Sequence, residues 1–150
     1  MIAIDTGVWI EYINTCGAFH AQAKTVIDSV DRGDVTAILT PLTLTEIYYV
    51  ARRVYQEVDT PLKSEILAKK FYDFIYYHPH VEVKQLEYKL CLNAGIIKSK
   101  YNIAFSDCFL LALSEHDNTT VLFKNIENEM KRNIKELNKC FNLKFLKNYS

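Results

Sequence analysis

The stretch that most constrains the fold is residues 104–114, an almost wholly apolar run with one carboxylate, Asp107, near its start. Apolar residues on nearly every position predict a helix that is buried on most sides. Ser106 is a favourable N-cap residue, so we expect Asp107 in the first helical turn, where backbone N–H groups and the helix dipole favour negative charge. On this pattern alone, Asp107 is as readily a helix-start residue as a functional one.

Short apolar runs alternate with segments of helical periodicity along the rest of the chain. The predicted strands are residues 2–4, 35–40, 81–83, 119–123 and 143–146, the last of them at an edge. Helical segments lie between them, and the helix after the fourth strand, residues 131–139, is basic. This alternation predicts a parallel sheet covered on both faces. A chain of 150 residues with no repeat or linker is expected to form a single domain, residues 1–150.

Two more acidic residues stand at the ends of predicted elements. Asp5 directly follows the first strand, and Glu46 lies at the start of the helix after the second strand. Each has a structural alternative: Asp5 as the cap of the next helix, and Glu46 as the partner of Thr43 in a capping box. Open α/β sheets bind ligands at the carboxyl ends of their strands, so both residues are also expected to point into that crevice.

The acidic residues Asp5, Glu46 and Asp107, together with the pair Asn125 and Glu127, all follow a strand or open a helix at the same expected sheet edge. If these side chains converge, they form an oxygen-rich pocket that like-charge repulsion strains when no metal is bound. Oxygen ligands without Cys or His select Mg²⁺ or Mn²⁺. Such ions hold a phosphodiester, activate a water and stabilise the leaving oxygen. The predicted chemistry is hydrolysis of a phosphate ester.

Composition limits the partners and the cellular setting. The 18 basic and 18 acidic residues give zero net charge, which argues against a polybasic nucleic-acid binder but not against an enzyme that grips a short stretch of RNA at a metal site. The four cysteines form no C-x-x-C pair, so we expect reduced thiols in an intracellular protein and no structural zinc site. No stretch approaches the roughly 18 to 20 apolar residues of a membrane span. We therefore expect a soluble, cytoplasmic protein.

Three short motifs resemble those of the PIN domain family. Residues 4–6, Ile-Asp-Thr after the first strand, resemble the first motif, and Thr43-x-x-Glu46 followed by an apolar helix is similar to the second. Residues 101–112 resemble the third, although the family usually has Asp-Ala where this chain has Asp-Cys. The motifs occur in the order and spacing of the family and cover the chain as far as about residue 129. The resemblance implies an α/β/α sandwich with a central parallel sheet of four to five strands.

The resemblance also implies a function and a set of site residues. PIN domains are Mg²⁺- or Mn²⁺-dependent ribonucleases, and their commonest single-domain members are VapC-like toxins, usually dimeric and inhibited by an antitoxin. By this likeness Asp5, Glu46 and Asp107 are catalytic metal ligands, while Thr6 and Ser106 hydrogen-bond the ligands or the substrate. We expect an endoribonuclease that hydrolyses RNA phosphodiester bonds, the toxin of a type II toxin–antitoxin pair, acting as a homodimer.

The chain departs from the family at the fourth motif. Where the family usually has Thr-Gly-Asp after the fourth strand, this chain has Phe-Lys-Asn at residues 123–125, with Glu127 two residues further on. Asn125 keeps an oxygen but loses a charge. Either Glu127 supplies that charge as a fourth metal ligand, with Asn125 beside it near the substrate, or the second metal position is weak. The alternative function is accordingly a catalytically weakened PIN-like module that binds RNA or a protein partner.

Two other functional classes fit the sequence less well. An aspartyl-phosphate phosphatase would resemble Asp-x-Asp after the first strand, where this chain has Asp5-Thr6-Gly7. A nucleotide-binding domain would need a glycine-rich loop around the phosphates, and the four glycines of this chain are too scattered to form one. The aromatic segment at residues 71–77 is expected in the core or on a dimer face, with base stacking as the alternative.

Overall fold

The computed structural model describes residues 1–149, which form a five-stranded, all-parallel sheet with helices on both faces. The strands are β1 (Ile2–Ile4), β2 (Ala37–Leu39), β3 (Val81–Val83), β4 (Thr120–Phe123) and β5 (Leu143–Phe145), in the spatial order β3-β2-β1-β4-β5. The helices are α1 (Thr6–Ile13), α2 (His20–Asp31), α3 (Pro41–Gln56), α4 (Pro61–Tyr76), α5 (Tyr88–Tyr101), α6 (Phe105–Asp117), α7 (Asn128–Lys131) and α8 (Ile134–Cys140). A short 3-10 helix, Leu146–Asn148, follows β5. The predicted α/β/α sandwich with four to five parallel strands is confirmed.

The side chains of each strand alternate between two hydrophobic cores. Ala3 and Ile38 pack with α5 and α6 on one face of the sheet. Ile4 and Leu39 pack with α1 to α4 on the other face. Because successive strand residues point to opposite faces, three-residue strands are long enough to anchor both layers. This double burial explains why the strands read as continuous apolar runs.

The position of β1 between β2 and β4 determines which loops meet at the sheet edge. Ile2 of β1 is in register with Ala37 of β2, and Ile4 with Leu122 of β4. The chain leaves these three strands at the same edge, so the segments that follow them become neighbours. Residues that are far apart in sequence are thereby placed around one crevice.

Two predicted caps are wrong. The cap of α3 is Thr40, whose side chain accepts a hydrogen bond from the Thr43 N–H, so Thr43 and Glu46 do not form a capping box. Pro41 at the first helical position explains the earlier start, because its fixed φ suits a first turn. Helix α6 begins at Phe105, and its cap, Ala104, makes no side-chain cap bond, so Ser106 lies inside the first turn. Asp107 is in the first turn as predicted.

The predicted basic helix at residues 131–139 is also wrong, because the chain forms α7 and α8 there with a break between them. Asn133 lies at the break, and its side-chain amide donates a hydrogen bond to the Tyr101 carbonyl at the end of α5. That hydrogen bond ties the chain to the end of α5 at the break between α7 and α8.

The remaining expectations concern the aromatic segment, the cysteines and the membrane. Phe71 and Ile75 are buried, whereas Phe74, Tyr76 and Tyr77 are exposed, so the segment is core on one side only. The four cysteines are free thiols, and Cys108 is buried in α6. Among residues 1–149, no helix has both the length and the apolar character that crossing a bilayer demands.

Candidate functional site

Asp5 lies at the carboxyl end of the central strand and also caps the following helix. Its Oδ2 accepts a hydrogen bond from the Gly7 N–H at 3.1 Å, and its side chain is buried. A Cβ at position 7 would come within 3.2 Å of both Asp5 Oδ2 and the Cβ of Lys124. The glycine therefore lets this turn approach the segment after β4. Asp5 combines the two roles that the sequence presented as alternatives.

Glu46 lies in the second turn of α3, where it makes side-chain contacts rather than a cap. Its Oε1 accepts a hydrogen bond from the Thr6 hydroxyl at 3.2 Å. Its Oε2 accepts a longer one from the Tyr49 hydroxyl at 3.5 Å. These contacts hold the carboxylate towards the turn after β1, where Asp5 lies.

Asp107 enters the site from the first turn of α6. It is only 4% exposed, and its Oδ2 has no hydrogen-bond partner among the described residues. A buried carboxylate oxygen without a partner is costly, because the group has lost its hydration without replacement. Such an orphan atom is typical of a group whose partner is a bound ion or substrate.

These side chains line one cavity of about 280 Å³ at the carboxyl edge of the sheet. The predicted site residues on its wall are Asp5, Thr6, Glu46, Ser106, Asp107 and Glu127. The structure thus brings together all four carboxylates and both hydroxyls of the predicted site. Asn125 is exposed and does not line this cavity, so the side chain of the divergent fourth motif that reaches it is Glu127.

The cavity disfavours negative charge when it holds no cation. Burial, assisted by Glu127 and Glu46, raises the pKa of Asp5 to about 7. Burial and the neighbouring Asp5 raise the pKa of Asp107 to about 9. Partial burial and Glu129 also raise the pKa of Glu127. Mutual repulsion between desolvated carboxylates is the arrangement that a bound cation would relieve.

A lysine and a buried glutamate adjoin the carboxylates. Lys124 lines the cavity, and its Nζ lies 3.3 Å from Oε2 of Glu11. Glu11 is 1% exposed, and its Oε1 accepts a hydrogen bond from the Phe19 N–H at 2.7 Å. The sequence analysis predicted no role for Lys124 or Glu11. The available signal was a lone acidic residue within the apolar helical segment at residues 8–13.

The oxygen atoms of these residues are the donor type that a divalent cation prefers, but they do not lie close enough together to coordinate one. Carboxylate and hydroxyl oxygens suit Mg²⁺ or Mn²⁺, and the unpartnered Oδ2 of Asp107 is a free ligand atom. Within residues 1–149, no three His, Cys, Asp or Glu side chains lie close enough together to hold a metal ion as they stand. A metal ion at this cavity would therefore need the carboxylates closer together than they stand.

The fold is shared with solved toxin structures. VapBC2 from Rickettsia felis, bound to a DNA fragment from its promoter, is 14% identical with a TM-score of 0.64 and covers 97% of this chain and 98% of that chain. VapC20 from Mycobacterium tuberculosis, a sarcin-ricin loop cleaving toxin, is 17% identical with a TM-score of 0.63, covering 81% of this chain and 87% of that chain. A toxin-antitoxin complex from Klebsiella pneumoniae is 12% identical with a TM-score of 0.56, and the match covers 85% of this chain and 89% of the Klebsiella chain. At these identities, the likeness establishes the fold alone.

Sequence comparison identifies the family. No curated protein shows significant sequence similarity to the chain. The profile of the PIN domain, however, matches residues 2–132, which is most of the chain and includes every residue of the acidic cavity. The chain therefore belongs to the PIN domain family.

Proposed function

We propose that this protein is a single-domain, Mg²⁺- or Mn²⁺-dependent endoribonuclease and the toxin of a type II toxin–antitoxin pair. The observation that carries the proposal is the buried, unpartnered carboxylate of Asp107, which shares one cavity with Asp5, Glu46 and Glu127. Asp5 and Asp107 are buried and Glu46 is half-buried at this sheet edge, and burying neighbouring carboxylates is costly unless they gain a compensating partner. Their arrangement is suited to binding a cation that in turn binds a phosphodiester.

The residues have distinct parts in the proposed reaction. A bound divalent ion would supply positive charge to the phosphodiester and a nucleophilic water at neutral pH. Asp5 and Asp107 would hold the ion from two different elements, together with Glu46, which accepts a hydrogen bond from the Thr6 hydroxyl. Glu127 provides a fourth carboxylate from the segment after β4, in the place of the acidic residue that the family usually has there.

The partners of the proposed toxin follow from its fold relatives. One of the similar structures is a toxin–antitoxin complex, another is VapBC2 bound to a DNA fragment from its promoter, and a third is a toxin that cleaves the sarcin-ricin loop. We propose that this chain likewise cleaves RNA in the cytoplasm and is inhibited by an antitoxin. Its exposed aromatic side chains at the end of α4, Phe74, Tyr76 and Tyr77, supply an apolar surface for a homodimer.

One observation favours a second candidate, a catalytically weakened PIN-like module that binds RNA or a protein. No three of the described carboxylates already stand at chelating distance, and the fourth motif carries an amide at Asn125. If metal binding cannot draw the carboxylates together, the cavity would bind a partner without cleaving it.

The deciding experiment is titration of Mg²⁺ and Mn²⁺ by calorimetry, followed by an RNA cleavage assay. The wild-type protein is compared with Asp107→Asn, and with Glu115→Gln as a matched control that removes a charge from an exposed position on the same helix. The nuclease proposal expects metal binding and cleavage by wild type and Glu115→Gln, and neither by Asp107→Asn. Failure of wild type to bind millimolar metal would refute the nuclease and favour the binding module.

A further inference from the structure

An exposed apolar groove of about 490 Å³ lies between α3 and the start of α6. One wall consists of Pro41, Leu42 and Tyr49 on α3, and the other of Ala104 and Phe105. The two largest side chains of the groove are exposed to solvent, Phe105 by 61% and Tyr49 by 41%. Neither ring is needed to fill the hydrophobic cores on the two faces of the sheet.

The groove is continuous with the acidic cavity. Glu46, Ala104 and Ser106 line both of them. A ligand that reaches from the carboxylates across these shared residues enters the groove directly. The apolar surface therefore begins where the polymer held at the proposed cleavage site must continue.

The aromatic rings are held in place by their neighbours. Phe105 packs against Phe109 with an interplanar angle of 76° and a centroid separation of 5.1 Å. The Tyr49 hydroxyl donates to Glu46, and the Arg53 guanidinium lies 5.2 Å from the centre of the Tyr49 ring. Rings that are fixed before binding lose little conformational entropy when a planar ligand stacks on them.

Charge distinguishes a nucleic acid from other apolar ligands of this groove. Arg53 is exposed and its guanidinium lies over the Tyr49 ring, so a positive charge lies next to one of the groove residues. Aromatic rings next to a cation are the combination that binds single-stranded nucleic acid, with bases on the rings and the backbone at the cation.

We propose that this groove binds one unpaired nucleobase of the RNA substrate, next to the phosphodiester at the acidic cavity, by stacking on Phe105 and Tyr49. The inference rests on the proposed ribonuclease function and adds to it two substrate-positioning residues outside the acidic cavity. Arg53 contacts the phosphate of the stacked nucleotide. Phe105 and Tyr49 are substrate-positioning residues and hold no metal.

The test pairs a ring deletion in the protein with a base deletion in the RNA. A labelled, short, unstructured RNA oligonucleotide is compared with a series in which one abasic nucleotide is placed at each position in turn. Fluorescence anisotropy in a chelator, where the proposed nuclease does not cleave, gives the Kd, and cleavage of the same oligonucleotides in Mn²⁺ gives KM and kcat. Phe105→Ala tests the stack, and Phe105→Leu retains apolar bulk without a ring. Tyr88→Ala, which removes a ring that is 85% exposed outside the groove, is the matched control.

We expect Phe105→Ala to raise the Kd and KM about tenfold, the scale of one base–aromatic stack. Phe105→Leu should lose most of the same affinity, and Tyr88→Ala should bind like wild type. One abasic position should weaken binding to wild type by a similar factor and should have little further effect on Phe105→Ala. Such non-additivity would identify the deleted base as the partner of the ring.

The remaining outcomes separate this inference from the function on which it rests. Base-dependent binding that Phe105→Ala abolishes, without cleavage by the wild type, would support the groove and refute the nuclease. Two outcomes would refute base binding in the groove while the wild type still cleaves RNA. One is a Kd and KM of Phe105→Ala equal to those of wild type, and the other is additive effects of the ring and base deletions. Neither outcome would contradict the nuclease proposal. No binding of any RNA by the wild type would overturn the groove as a base site and favour a protein segment as its occupant.

Discussion

The hydroxyl of Thr6 donates a hydrogen bond to Oε1 of Glu46 at 3.2 Å, and so joins the turn after β1 to the second turn of α3. The two residues are 40 positions apart in sequence, and each lies next to a different part of the acidic cavity. A ligand carboxylate that is oriented by a neighbouring hydroxyl binds metal with less loss of side-chain freedom. Thr6 accordingly orients the Glu46 carboxylate for the proposed metal site.

Thr6→Val removes this hydroxyl and keeps the shape of the side chain. We expect the affinity for Mn²⁺ to fall about tenfold, the lower end of the range for losing an outer partner of a metal ligand. Calorimetric titration measures the affinity, and Thr6→Ser, which retains the hydroxyl, should bind nearly as well as wild type. Unchanged Mn²⁺ affinity in Thr6→Val would show that Glu46 is oriented by other contacts.

The raised pKa values of Asp5 and Asp107 predict that the metal-free protein loses stability as the pH rises. In the folded protein these carboxyls keep their protons until about pH 7 and about pH 9, whereas an unfolded Asp releases its proton near 3.8. The folded state therefore binds more protons than the unfolded state between these values, and stability falls with pH across that window. We expect the free energy of unfolding in a chelator to decrease by a few kcal/mol from about pH 5 to about pH 9.

Urea denaturation at several pH values measures this effect. Asp107→Asn should flatten the slope, because the amide has no proton to release. A saturating concentration of Mn²⁺ should also reduce it, since a bound cation favours the ionised carboxylates. A wild-type slope that Asp107→Asn leaves unaltered would show that other groups govern the pH dependence.

The ion pair between Lys124 and Glu11 predicts unequal effects of removing its two partners. Lys124→Met leaves the buried Glu11 carboxylate without its cation, and we expect a loss of about 2 kcal/mol in the free energy of unfolding. Glu11→Gln keeps an acceptor for the Phe19 N–H and leaves a lysine that water can solvate, so it should cost less. Urea denaturation of both variants and the double variant measures the coupling. A larger loss in Glu11→Gln than in Lys124→Met would contradict this account.

Gly17 is required by the same buried glutamate. A Cβ at this position would overlap the Glu11 carboxylate, which cannot swing away because it is buried and bound to the Phe19 N–H. We expect Gly17→Ala to destabilise the protein by about 1 to 3 kcal/mol. Gly95→Ala is the matched control, because a Cβ in the middle of α5 meets nothing within 4 Å and should stabilise by about 0.5 to 1 kcal/mol. Equal effects of the two substitutions on the free energy of unfolding would mean that the Glu11 side chain moves away from a Cβ at position 17.

Much of the sheet was predictable because its strands are short apolar runs. Residues 2–4 and 81–83 form strands as predicted, and β5 is an edge strand. Helix boundaries were less predictable, because several residues compete to cap each helix. Thr40 rather than Thr43 caps α3, since Pro41 lets the helix start three positions earlier.

The local sequence also identified the acidic residues that line the cavity, because a carboxylate at the end of an apolar element requires an explanation. It did not distinguish Asn125 from Glu127, which lie in one short segment after β4. The path of the backbone after β4 places Glu127 in the cavity wall and leaves Asn125 exposed. A difference of two residues in a loop changes which side chain lines the cavity, and no local pattern encodes that path.

Glu11 is the clearest residue that only the tertiary structure explains. Its burial depends on Lys124 and the Phe19 N–H, which are brought to it by the turn after α1 and by the pairing of β1 with β4. By itself, the sequence determined the parallel sheet and the acidic residues at its edge, because burial and helix capping act over a few neighbouring residues. Only the tertiary structure decided which charges are paired and which, like Asp107, are left free, because the energy of a buried charge depends on groups from distant parts of the chain.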